Sequence, residues 1–75
     1  MKRFAYTVVY EKDENGYVVT VPALPGIVTE GRTLEEARLM AADAIKCHLE
    51  SLVKDGEPVP VEQEVNLEKV EVEVP

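Results

Sequence analysis

Apolar and polar positions along the chain mark out extended segments around one long helix. The opening run Phe4–Tyr10, FAYTVVY, is rich in aromatic and β-branched residues and predicts a first strand. KDENG follows, and its Asn15-Gly16 pair predicts a type I′ hairpin turn, which needs positive φ at both central positions. Tyr17–Val21, YVVTV, predicts a second strand, closed by Pro22 because proline cannot donate to a ladder. Pro25-Gly26 marks a turn, Ile27–Glu30 predicts a short third strand, and Gly31 is expected to break it.

The pattern then changes period. Leu34, Ala37, Ala41, Ile45, His48 and Leu52 recur at spacings of three and four, which places them on one helical face. Thr33 followed by Glu36 has the spacing of a capping box. Glu35 and Glu36 also complement the positive end of the helix dipole. Gly56 suits the position just past a helix end, and Pro58 forbids continuation. A helix from about Leu34 to Lys54 is predicted, roughly 30 Å long.

The tail returns to alternation. Val70, Val72 and Val74 alternate with Glu71 and Glu73, giving one apolar and one acidic face. Upstream, Val61, Val65 and Leu67 hold the other parity, so a bulge or turn is expected near Glu68-Lys69. The predicted order is β-β-β-α-β, an α+β fold. A right-handed crossover would lay the last strand parallel to the first, giving sheet order 3-2-1-4 with one helix on one face. The other face would carry Ala5, Thr7, Val9, Val18 and Thr20. That face, or the terminal edge strand, is expected to meet another chain, the alternative being good strand formers that simply face water.

Composition narrows the support available to such a fold. A chain of 75 residues is expected to be a single domain over 1–75, and at this size one core stabilises only marginally. Its one cysteine, Cys47, closes no internal disulfide. Oligomerisation or a partner is the support that remains, with a homodimer or higher homo-oligomer expected. Fifteen acids against 8 bases leave a net charge of −7, which repels phosphates and suits a basic protein partner. Direct nucleic-acid binding is therefore not expected. No apolar run approaches the ~18 residues of a membrane span, and no export signal opens the chain, so a cytoplasmic location is expected.

Catalytic chemistry is sparse. Neither FAYTVVY nor YVVTV contains an acid, so the converging carboxylates of a metal-dependent nuclease have no obvious source. The acids fall in turns, caps and the tail, and no metal, cofactor or catalytic residue is expected. Gly16, Gly26 and Gly31 fit no phosphate-loop spacing. His48, the single histidine, lies on the apolar stripe without triad partners and is expected to be a structural histidine. Cys47 falls on the opposite face with Met40 and is expected to be weakly buried. The better recognition candidates are Tyr17, Pro22, Leu24, Pro25 and Gly26, since a stiff, partly apolar loop loses little entropy on binding. The same residues would serve equally to shape the exit of the second strand.

The stretch GYVVTVPALPGIVTEGRTLEEA closely resembles the signature of HicB-family antitoxins, through Gly16, Tyr17, Pro22, Leu24, Pro25, Gly26, Gly31, Thr33, Glu36 and Ala37. The DENG turn and a helix ending in Asp55-Gly56 before Pro58 fit as well, so the resemblance covers about residues 4–60. It implies a partial, degenerate RNase H-like fold. It also implies a non-enzymatic protein that binds a small basic HicA-type mRNA-cleaving toxin and occludes its active site. Many members carry a C-terminal DNA-binding domain. Here VEQEVNLEKVEVEVP follows Pro60, and such a domain is not expected. The alternatives are an orphan homo-oligomeric module without a toxin and a residual metal-dependent nuclease.

Overall fold

The computed structural model describes residues 2–75. Strand β1 (Val9–Asp13) pairs antiparallel with β2 (Gly16–Thr20), with Val9 opposite Thr20 and Asp13 opposite Gly16. The first strand therefore begins later than expected and runs to the turn. Beyond Thr20 the chain leaves the sheet through a tight turn, so residues 4–8 have no opposite strand. Lys12 and Asp13 extend the ladder because the hairpin loop is Glu14-Asn15 rather than Asn15-Gly16. The turn is not type I′: no residue except glycine has positive φ among the described residues, and Gly16 alone adopts it here, at 142°. Asp13 instead shapes the turn by accepting a hydrogen bond from the Asn15 N–H at 2.9 Å.

Strand β3 (Val28–Gly31) pairs antiparallel with β2, giving a sheet of order β1-β2-β3. Gly31 ends this strand rather than breaking it, and it is buried. Between β2 and β3 the chain makes two successive tight turns, with Leu24 N–H donating to Val21 C=O and Ile27 N–H to Leu24 C=O.

The helix α1 spans Leu34–Lys54, as the sequence spacing predicts. Thr33 Oγ1 accepts from Glu36 N–H at 3.0 Å, and the Glu36 carboxylate reaches back to Arg32 N–H at 3.1 Å. This is the capping-box exchange with the return bond moved one residue upstream. At the other end Gly56 adopts φ 69°, Gly56 N–H donates to Val53 C=O and Glu57 N–H to Leu52 C=O, the Schellman closure.

One face of the sheet lies under α1. Val19, Ala37 and Ala41 form one buried cluster, with Val8, Tyr10 and Tyr17 packed on it. Val21, Leu24 and Ile27 form a second, against Tyr6, Val8, Ala44, Ile45 and Leu49. The helix can sit close because its contact positions are alanines. No polar or charged side chain is buried among the described residues.

The tail departs from expectation. Residues 57–75 form no strand, so the fourth strand of the expected 3-2-1-4 order is not in this sheet. The start of the tail is instead tied to the segment before β1. Tyr6 OH donates to Pro60 C=O, and the Glu62 carboxylate accepts from both the N–H and the hydroxyl of Thr7. These contacts are made by side chains and form no ladder. Beyond them the chain projects: the radius of gyration is 14.9 Å, against about 11 Å for a compact chain of this length.

Candidate partner-binding surface

The loop from Pro22 to Gly26 is stiff for reasons visible in its bonds. Leu24 closes both of its tight turns, as donor to Val21 and acceptor from Ile27, and its side chain is buried at 2% exposure. Leu24 thus anchors the loop to the core, while Pro22, Pro25 and Gly26 are exposed. Around Gly26 a Cβ would meet nothing within 4 Å, so the space at the loop's tip is open.

Tyr17 is not part of that patch. It sits at the hairpin end of β2, opposite Lys12 and Gly31, half-buried against Ala37 and Ala41. The Pro22–Gly26 loop leaves the other end of β2, roughly 16 Å away by strand rise. The candidates form two patches, joined by the strand between them.

The helix-free face of the sheet has a composition that the strand registers bring together. Val9, Thr20 and Val28 form one cross-strand row, and Glu11, Val18 and Glu30 form the next. Val9, Val18 and Thr20 are half-buried, and Val28 is 67% exposed. An apolar row thus lies beside a valine flanked by two exposed carboxylates. Val9, Val18 and Thr20 were legible in the sequence; Glu11, Val28 and Glu30 were not, because only the register places them on this face. At the hairpin end Asp13, Glu14, Glu35 and Glu36 are exposed as well. Gly16 comes within contact of Gly31 and Arg32, which brings the hairpin tip beside the helix start.

No group of three or more His, Cys, Asp or Glu side chains converges among the described residues. His48 is half-buried on α1. Cys47 is exposed rather than weakly buried, because nothing packs on that side of the helix, where Met40 is 40% exposed too. No helix of the described residues is long and apolar enough to cross a membrane. Such a surface can bind by shape, apolar contact and negative charge.

Residues 6–74 match the family model described as the HicB-like antitoxin of bacterial toxin–antitoxin systems. A UPF0150 protein of Thermoplasma acidophilum is 52% identical over 56 residues, covering 73% of this chain and 81% of that protein. A UPF0150 protein of Thermotoga maritima is 33% identical over 72 residues, covering 96% and 92%. Antitoxin HicB 1 of Photorhabdus laumondii is 37% identical over 73 residues, covering 96% of this chain. The chain spans only 47% of that antitoxin's length. No solved structure matches.

Proposed function

The chain belongs to the HicB-like antitoxin family, and we propose that it binds and neutralises a small, basic, HicA-type mRNA-cleaving toxin by covering its active site. Membership of a toxin–antitoxin family implies a toxin partner. The observation that carries the rest is the helix-free sheet face, where Val9, Thr20 and Val28 lie beside Glu11, Val18 and Glu30. Apolar contacts there would hold a partner, and the flanking carboxylates with a net charge of −7 would draw a basic one in. The exposed loop residues Pro22, Pro25 and Gly26 extend this surface at one end of β2, whereas Tyr17 faces the helix.

On this reading the protein is not an enzyme, holds no cofactor and works in the cytoplasm beside the toxin's mRNA substrate. On the same reading its three-stranded sheet corresponds to the partial RNase H-like one. A second reading, an orphan homo-oligomeric module without a toxin, is favoured by the projecting tail.

The test is co-expression with a small basic HicA-type protein carrying the only affinity tag. Co-purification in a fixed ratio, lost on Glu11→Lys with Glu30→Lys, is expected. Absence of any complex, with the chain folded alone, would contradict the proposal.

A further inference from the structure

We propose that the tail segment Glu68–Val74 docks in the groove between residues 2–6 and α1 of a second copy of this chain, the two copies exchanging tails reciprocally. The proposal does not depend on the toxin reading, and it concerns a different surface.

The tail has the valine–glutamate alternation of a strand but is in no sheet. Val70, Val72 and Val74 alternate with Glu71 and Glu73 along the sequence and are 76%, 73% and 82% exposed. A strand with this alternation is built to bury one face, and nothing in its own chain covers it. Its backbone is in no ladder, and neither is that of residues 2–8. Both segments therefore offer unpaired N–H and C=O groups, the condition for adding a strand.

The groove fits this occupant in shape and charge. Two adjoining cavities of about 460 and 400 Å³ share Phe4, Lys46 and Leu49. Their apolar lining is completed by Ile45 and by Val53, which is 64% exposed. Lys2, Lys46 and Lys54 rim it, with Glu50 the one acid among the lining residues. Glu68, Glu71 and Glu73 on the tail are opposed only by Lys69. In an otherwise acidic chain, a lysine-rimmed apolar groove and a valine–glutamate strand are complementary. Lysine stems can cover the strand's edges while their ammonium groups meet its carboxylates.

The occupant comes from a second copy because the chain's own tail is led elsewhere. Glu62 is held by Thr7, and Val65 lines one hollow with Pro22 and Ala23, so the tail passes residues 6–7 and continues past the exit of β2. The molecule is 53 Å long and 28 Å wide for this reason. A twofold arrangement places each tail in the other's groove and removes both exposed stripes at once.

The experiment is sedimentation velocity on the full chain, without any toxin, so its result is separate from the antitoxin test. Wild type is expected to be a dimer. Val70→Asp with Val72→Asp in the tail, and separately Val53→Glu in the groove, alter exposed residues and leave both buried clusters intact. Each is expected to raise the dimer dissociation constant at least about 100-fold, with unchanged circular dichroism. Mixing the two variants is expected to yield a heterodimer in which one of the two tail–groove contacts is intact, since one variant retains its groove and the other its tail. A monomeric wild type, variants that dimerise like wild type, or a mixture that stays monomeric would each overturn the proposal.

Discussion

Gly31 and Ala37 meet backbone to backbone: a Cβ on Gly31 would stand 2.5 Å from the Ala37 nitrogen and 2.7 Å from its Cα. The end of β3 is thus pressed against the first turn of α1, and this contact sets how closely the helix lies on the sheet. Gly31→Ala should destabilise by about 1–3 kcal/mol, since neither backbone can yield without displacing the helix. Gly26→Ala, where a Cβ meets nothing within 4 Å, should be neutral or stabilise by up to about 1 kcal/mol. Urea midpoints of the two variants, measured side by side, check the contrast.

The helix start rests on a second local device. Thr33→Ala removes the acceptor for Glu36 N–H and should cost about 1 kcal/mol. Thr33→Ser keeps the acceptor and should recover most of that. A thermal melt of the three proteins reads the difference directly.

The loop's anchor and its tip should separate in experiment. Leu24→Ala empties a buried site and should cost about 2–5 kcal/mol, a large share of the stability of so small a domain. Pro25→Ala is exposed and should change stability little while weakening toxin binding on the proposed reading. Chemical denaturation and binding titration on the same two variants provide the check; equal losses of stability would contradict the division of roles.

Charge on the helix-free sheet face predicts kinetics. Association with a basic toxin should slow as salt rises, because exposed charges are screened beyond about 10 Å at 0.1 M. Glu11→Lys with Glu30→Lys should slow it further, by about tenfold or more at low salt. Stopped-flow rates across ionic strength test this, and a rate indifferent to salt would sink the steering argument.

How much of this was legible in the sequence depends on how local the signal is. Both ends of α1 were readable because Thr33, Glu36 and Gly56 act within one turn of themselves. The start of β1 was not. FAYTVV has strand-forming residues, yet a strand ends where its neighbour ends, and the turn after Thr20 removes the neighbour of residues 4–8. The hairpin turn misled for a similar reason: Asp13 captures the Asn15 amide, so only Gly16 needs positive φ. The tail's amphipathic pattern was plain, but no pattern says which chain completes it. In the site, Pro22, Pro25 and Gly26 were identifiable as turn residues. The burial of Leu24 and the company of Glu11, Val18 and Glu30 emerge only from tertiary packing and register.

On the proposed reading this chain silences an RNA-cleaving toxin by binding it. Titrating the purified chain into an RNA-cleavage assay containing a HicA-type toxin tests that most directly. Cleavage is expected to fall in proportion to added chain and to cease at a fixed ratio, with Glu11→Lys and Glu30→Lys together shifting that ratio upward. Undiminished cleavage at saturating, folded chain would contradict it.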